Sequence, residues 1–151
     1  CVSESHFSLD YYGGPGLAVT PAICGDDASV KIEAYVDGAK MGQSLRYTIK
    51  DREGNIIATA NTPETEVTLD IKNVHRWHGR KDPYLYTAYV DLLDGDEVLD
   101  NVSARFGCRE FKIDPDNGFI LNGEEYPLRG VSRHQDRDGR HRLFLFRLNQ
   151  R

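Results

Sequence analysis

Hydrophobic and polar residues alternate with a period of two along most of the first hundred positions. Val30, Ile32 and Ala34 are apolar, and they alternate with the charged Lys31 and Glu33. Successive side chains of a β-strand point to opposite faces, so this pattern predicts a strand with one buried and one solvated face. No segment before residue 111 has the 3.6-residue period of a helix.

The same alternation recurs in short segments that are separated by turn-forming residues such as Pro63 and the pair Asp94-Gly95. We predict strands over the segments 17–23, 30–37, 45–50, 56–60, 67–71, 84–93 and 98–106. Seven strands within about 90 residues are typical of an immunoglobulin-like β-sandwich. We therefore predict an all-β fold, with the sandwich over residues 17–110.

A different pattern begins at Phe111. The apolar run 118–121 is followed by Asn122-Gly123 and then by a second apolar run, 126–131. Both turn residues tolerate positive φ, so the sequence predicts a hairpin with a type I′ turn and a second strand over Tyr126–Val131. The polar cluster that follows, SRHQD, is not required by a hairpin.

The run FKIDPDNGFILNGEEYPLRGVSRHQD closely resembles the junction in glycoside hydrolase family 2 where an immunoglobulin-like domain is followed by the catalytic (β/α)8 barrel. The resemblance implies that residues 111–139 are the opening hairpin and first strand of a truncated barrel. Within the family, the pair Arg133-His134 resembles the β-galactosidase branch, because β-glucuronidases tend to have Lys before the His.

The remaining segments are interpreted from the same resemblance. Residues 1–16 are predicted to be the tail of an upstream jelly-roll domain and a linker. Residues 6–12 would be the last strand of that domain, without the neighbouring strands with which it would pair. Residues 140–151 depart from the family, and we interpret them as a tail of non-native sequence. Its apolar run Leu143–Phe146 predicts self-association.

Retaining glycosidases need two carboxylates, one as acid and one as nucleophile. Glu124 and Glu125 are adjacent after the turn, so their side chains should diverge, and a solvated turn is the prediction for both. The resemblance implies that both catalytic glutamates lie beyond Arg151. The chain is therefore expected to hold no catalytic residue and to be inactive by itself.

A part of the sugar pocket is expected at the end of the first barrel strand, where barrel enzymes place their functional residues. The resemblance implies that His134 lies beside the sugar hydroxyls, with Arg133 and Asp136 next to it. A neutral imidazole both donates and accepts hydrogen bonds, which suits the orientation of a pair of hydroxyls. These three residues are the predicted substrate-binding residues.

Other candidate sites are weaker. His75 and His78 lack an acidic or thiol partner at a spacing that suits a metal, so no metal site and no cofactor is predicted in this chain. The resemblance allows a divalent metal in the parent protein, bound by residues further along the sequence. Trp77 resembles a packing residue of the family's sandwich, and sugar stacking is the alternative. Cys24 and Cys108 are expected to be free thiols, and Asp114–Gly118 a plain turn rather than a calcium loop.

Charge and hydropathy exclude other classes of function. The net charge of -5 argues against a nucleic-acid partner, which needs clustered Lys and Arg. No run approaches the ~20 apolar residues that span a bilayer, and the first residues lack the features of a signal peptide. A soluble protein is expected, with the cytoplasm favoured over export, and the start at Cys1 predicts a piece of a longer parent.

The sequence therefore predicts a non-catalytic fragment of a retaining family 2 glycosidase, a β-galactosidase that hydrolyses terminal β-galactosides in its full-length form. A β-glucuronidase parent is one alternative. The other is a stand-alone carbohydrate-binding or structural β-sandwich, which would bind sugar through Trp77 and its tyrosine neighbours without depending on His134.

Overall fold

The computed structural model describes residues 4–9, 14–128 and 130. All regular secondary structure in these residues is β-strand, which confirms the all-β prediction. The strands are β1 (His6–Phe7), β2 (Leu17–Cys24), β3 (Asp27–Ala34), β4 (Val36–Asp37), β5 (Gln43–Lys50), β6 (Ile56–Thr62), β7 (Glu66–Ile71), β8 (Tyr86–Asp94), β9 (Glu97–Phe106), β10 (Phe111–Asp114), β11 (Gly118–Leu121) and β12 (Glu124–Glu125).

Seven of these strands form the two sheets of an immunoglobulin-like sandwich. One sheet has the order β2-β3-β7 and the other the order β6-β5-β8-β9, and every pairing in them is antiparallel. All seven predicted strands are present. The largest difference is at β3, which begins at Asp27 because Gly25 at φ 66° makes a tight turn from β2.

The core lies between the inner faces of these sheets. Val30 and Ile32 from one sheet and Tyr47, Ile49 and Val90 from the other have no exposed surface. Their spacing of two residues along each strand is the alternation seen in the sequence. Burial of apolar area at roughly 25 cal/mol per Å² makes this layer the main stabilising contribution to the sandwich.

The residues before the sandwich pair with another strand. The expectation that residues 6–12 form a strand without neighbours is therefore wrong for residues 6–9, the part of this segment that the structure describes. β1 pairs with β4, and the Phe7 side chain is buried in the core. The Phe7 amide donates to the Asp100 carboxylate over 2.9 Å, and the buried Ser5 hydroxyl donates to the carbonyl of Gly38. This segment is therefore fixed to the sandwich.

After β9 the chain forms a three-stranded meander, β10-β11-β12. Asn122 at φ 52° and Gly123 at φ 86° form the predicted two-residue turn. That turn places Glu124 opposite Leu121, so the strand after it is Glu124–Glu125. The predicted strand from Tyr126 onward is wrong over residues 126–128, because Pro127 lacks an amide donor and Tyr126 turns towards the sandwich. Strand β10 was not predicted.

The two cysteines that the structure describes are free, as expected. Cys24 is exposed at the end of β2, whereas Cys108 is buried just after β9. Burial raises the pKa of the Cys108 thiol to about 11. Separately, we find in the described residues no helix that is long and apolar enough to cross a membrane.

The buried hydroxyl of Tyr47 predicts a loss of stability in alkali. It donates to the Glu64 carbonyl over 2.9 Å, and burial, together with the nearby Glu64, raises the pKa of Tyr47 to about 12. An unfolded tyrosine has a pKa of about 10, so the folded state holds its proton more tightly. The contribution of this tighter proton binding to the free energy of unfolding is fully present below pH ~10 and is lost as the pH rises towards ~12.

We expect Tyr47→Phe to unfold more readily than the unmodified chain at pH 8, by about 1 kcal/mol for the lost hydrogen bond. We also expect its stability to fall less between pH 10 and 11, by about 1 kcal/mol. Urea unfolding at several pH values measures both effects. The control is Tyr89→Phe, on the outer face of β8, and an equal alkaline loss in both variants would contradict the role of Tyr47.

Candidate functional site

The predicted substrate-binding residues Arg133, His134 and Asp136 lie outside the described residues, as does the tail 140–151. The described chain leads up to them and ends within a few residues of Arg133. The candidate site in the described part is therefore the junction that fixes this segment, formed by the loop 72–85 and the meander. We call it the junction.

The loop 72–85 is held to the sandwich at its start. Asn73 adopts φ 48°, and its amide donates to the Asp27 carboxylate, which also accepts from the Lys72 ammonium over 2.7 Å. These donors hold the pKa of Asp27 below its ordinary value, with the Lys72 hydrogen bond as the largest cause. The His75 amide donates to the buried hydroxyl of Tyr86. The loop is thus fixed on both sides of residue 74.

Tyr126 docks the end of the meander onto this loop. Its ring lies over Gly79, which is buried and has φ 59°, and its hydroxyl accepts a hydrogen bond from the Arg80 amide over 3.2 Å. A Cβ added to Gly79 would lie 2.6 Å from Cζ of Tyr126, which is too close for real atoms. Only glycine fits both the backbone conformation and the contact.

Asn122 connects the meander to the same loop. Its Nδ2 donates to the Trp77 carbonyl over 2.9 Å, and its Oδ1 accepts from the Glu110 amide over 3.0 Å. Its own amide donates to the Glu110 carbonyl. The Asn-Gly pair therefore does more than form a turn, because the side chain satisfies backbone groups of two other segments.

Glu124 forms a third link across the junction: it is exposed to solvent, as predicted, but it lies in a strand rather than in the turn. The residue lies in β12, and its carboxylate is 3.1 Å from the Lys81 ammonium and 3.2 Å from Nε2 of His78. The Lys81 hydrogen bond and charge, followed by His78, lower the pKa of Glu124. At neutral pH its negative charge therefore faces the loop.

The two histidines of the loop have acidic neighbours that the sequence did not indicate. Nε2 of His75 is 2.6 Å from the Asp82 carboxylate, and the His75 ring stacks on Tyr84 with 4.0 Å between ring centres. His78 is adjacent to Glu124 instead. Among the described residues, no group of three His, Cys, Asp or Glu side chains is placed to hold a metal ion.

Trp77 is a packing residue in this structure rather than an open platform. The Arg109 guanidinium lies 4.8 Å from the centre of its ring, and Gly107 is packed so closely that an added Cβ would lie 2.9 Å from Trp77 Cβ. Its neighbours Tyr84 and Tyr86 are stacked on His75 and Phe106. Sugar stacking on these rings finds no support in the geometry.

The segment Asp114–Gly118 forms a turn closed by its own side chain. Oδ1 of Asp114 accepts hydrogen bonds from the amides of Asp116 and Asn117, both over 3.0 Å. These bonds lower the pKa of the Asp114 carboxyl. The carboxylate is thus occupied by the backbone between β10 and β11, as in a plain turn.

The fold and the junction define an immunoglobulin-like sandwich protein whose terminal meander is docked onto an interstrand loop. A family model described as "Glycosyl hydrolases family 2" matches residues 16–109. The chain belongs to glycoside hydrolase family 2, as the sequence motif predicted.

Relatives and solved structures agree with this assignment. The chain is 40% identical over 72 residues to a β-glucuronidase from Bacteroides fragilis, covering 48% of this chain and 10% of that protein. It is 30% identical over 114 residues to a β-galactosidase large subunit from Lactobacillus helveticus, covering 72% of this chain and 18% of that protein.

Among solved structures, an FMN-binding β-glucuronidase from Facaelibacterium prausnitzii L2-6 superposes with a TM-score of 0.83 and 39% identity, covering 89% of this chain and 21% of that one. The chain thus spans about a tenth to a fifth of the length of these proteins.

Proposed function

We propose that this chain is the sandwich and junction of a retaining family 2 glycosidase that hydrolyses a terminal β-linked sugar. Its own contribution is to hold the first segment of the catalytic domain in position. The observation that carries this proposal is the docking of the meander, in which Asn122, Glu124 and Tyr126 each contact the loop 72–85. An ordered exit from the sandwich is what a rigidly attached catalytic domain requires.

In this proposal, His134 contacts the sugar hydroxyls, with Arg133 and Asp136 beside it. Tyr126 precedes His134 by eight residues, and an extended chain spans at most about 3.5 Å per residue. The docked tyrosine therefore limits His134 to a sphere of about 28 Å radius. The two catalytic glutamates are proposed to lie beyond Arg151, so catalysis depends on the extended protein.

The sugar is proposed to be a β-galactoside, on the strength of the Arg133-His134 pair. Relatives named β-galactosidase and relatives named β-glucuronidase both match this chain, so a β-glucuronide is the competing substrate. The glucuronide has a carboxylate where the galactoside has a hydroxymethyl group, and the two sugars also have opposite configurations at C4. A site that pairs with the carboxylate discriminates strongly against the neutral sugar.

The test is an assay of two proteins, this 151-residue chain and the chain extended through a complete barrel, with p-nitrophenyl β-galactoside and p-nitrophenyl β-glucuronide. We expect turnover by the extended protein alone, with the galactoside preferred. A preference for the glucuronide would overturn the galactosidase assignment. Turnover by the short chain, or none by the extended protein with either sugar, would overturn the proposed role of the chain.

Self-association through Leu143–Phe146 is a separate proposal, because apolar runs promote association wherever they are exposed. Sedimentation velocity of the chain with and without residues 140–151 measures it directly. A concentration-dependent increase in sedimentation coefficient that disappears on truncation is the expected result.

A further inference from the structure

The outer face of the four-stranded sheet carries basic residues that have no acidic partner. Lys50, Thr87 and Arg105 lie opposite one another on β5, β8 and β9, so their side chains form one row on one face. Ile49 and Ala88, which alternate with them, are buried, so this row faces solvent. Tyr89 follows on the same face and is 39% exposed.

Two neighbouring clefts lie along this row. The first, of about 420 Å³, is lined by Lys50, Arg52, Thr87, Tyr89 and Arg105, among others. The second, of about 450 Å³, shares Leu85 and Arg105 with the first, and Arg109 lines its other end. Four cationic side chains therefore line these two adjoining clefts.

These four cations differ from most others in the described chain. Lys31, Lys40, Arg46, Lys72 and Lys81 each lie within 3.3 Å of a carboxylate. In the part of the chain that the structure describes, no ion pair is formed by Lys50, Arg52, Arg105 or Arg109. Concentrating unpaired cations in a cleft is unexpected for a protein of net charge -5.

Two acidic groups near the clefts form hydrogen bonds with other residues. Asp51 lines the first cleft, but its carboxylate accepts hydrogen bonds from the backbone and side-chain amides of Asn55, over 2.7 and 2.8 Å. Glu53, next in the same turn, accepts from the Tyr84 hydroxyl over 3.2 Å. Neither carboxylate forms an ion pair with the cleft cations.

We propose that these joined clefts bind an acidic saccharide, a sugar bearing carboxylate or sulfate groups. Arginine and lysine pair with such anions through charge-assisted hydrogen bonds. The Lys50 ammonium lies 4.9 Å from the centre of the Tyr89 ring, and this contact holds its positive charge on the outer face of the sheet. The hydroxyls of Thr48, Thr87 and Ser103 on the same face suit hydrogen bonds to sugar hydroxyls. An acidic peptide would use the cations but not this combination.

The proposal rests on residues that the structure describes, and it does not depend on which sugar the extended protein cleaves. It can therefore be tested on the full 151-residue chain. Calorimetric titration at low salt would use a hyaluronan tetrasaccharide as the carboxylate probe, a chondroitin sulfate tetrasaccharide as a probe with both carboxylate and sulfate groups, and N-acetylchitotetraose as the neutral probe. We expect binding of at least one acidic probe, with an affinity that falls as salt rises.

Matched variants locate the binding. Arg105→Gln removes a cation from the clefts, and Arg80→Gln removes an exposed, equally unpaired arginine from outside them. We expect Arg105→Gln to weaken binding of the acidic probe about tenfold and Arg80→Gln less than twofold. Both variants are expected to fold, since Arg105 and Arg80 are exposed and their replacement leaves the core unchanged. Circular dichroism checks this.

Three results would overturn the proposal. The first is no binding of either acidic probe at concentrations up to about 10 mM. The others are binding of the neutral probe as tight as that of the acidic probes, and weakening of binding by Arg80→Gln as large as that by Arg105→Gln. Tighter binding of the chondroitin sulfate probe than of the hyaluronan probe would support the proposal and show that added sulfate groups strengthen binding. An acidic peptide that binds while both acidic saccharides fail would assign the surface to a polypeptide partner instead.

Discussion

Replacing Gly79 with alanine should lower the free energy of unfolding by about 2–5 kcal/mol and weaken the docking of Tyr126. The left-handed backbone at φ 59° costs an alanine about 1–2 kcal/mol. The new methyl group would also overlap the Tyr126 ring, and such overpacking typically costs about 1–3 kcal/mol. Urea unfolding gives the total effect. Hydrogen exchange at the Tyr126 amide, which donates to the Phe119 carbonyl, reports the local one.

Gly95→Ala is the matched control for this substitution. Gly95 has φ 60°, and a Cβ added there meets no atom within 4 Å. It should therefore show only the backbone cost of about 1–2 kcal/mol. If the two variants lose the same stability, and exchange at Tyr126 is unchanged, the contact between Gly79 and Tyr126 does not contribute to the junction.

Asn122→Ala is expected to destabilise the chain by about 2–3 kcal/mol. The substitution removes two side-chain hydrogen bonds, each contributing about 1 kcal/mol, and puts alanine at φ 52°. The amide of Glu110 and the carbonyl of Trp77 lose their partners. Urea unfolding measures the loss, and in the extended protein we expect lower activity from the weakened junction.

Asn73→Ala provides the comparison, because Asn73 has a similar φ of 48° and its side chain forms no hydrogen bond with the described residues. We expect a loss of about 1 kcal/mol there, from the backbone alone. Asn122→Asp retains an acceptor for the Glu110 amide but cannot donate to the Trp77 carbonyl, so it should fall between the two. Equal losses at positions 73 and 122 would contradict the role of the Asn122 side chain.

The sandwich was predictable because its information is local. Each inner residue of β3, such as Val30 or Ile32, is two positions from the next, and strand geometry converts this period directly into burial. The turn at Asn122-Gly123 was equally predictable, because few residue pairs tolerate two consecutive positive φ angles. Such signals need no knowledge of what the segment contacts.

The junction was not predictable in the same way. Gly79 lies in a loop of polar and aromatic residues, and its requirement for glycine comes from Tyr126, 47 positions further along the chain. The link between Glu124 and Lys81 and the pairing of β1 with β4 are also long-range, and β1 has only two residues in which to show a pattern. The predicted substrate-binding residue His134 remains a prediction.

The position of Cys108 has a practical consequence. Its backbone carbonyl accepts the Trp77 amide at the base of the junction loop, while its thiol is buried and has a pKa of about 11. The thiolate of an accessible cysteine attacks thiol reagents, so the buried Cys108 side chain reacts only when its surroundings open. Cys24, exposed on β2, reacts without any opening and supplies an internal reference. The chain thus carries a chemical reporter at the point where the sandwich meets the segment it supports.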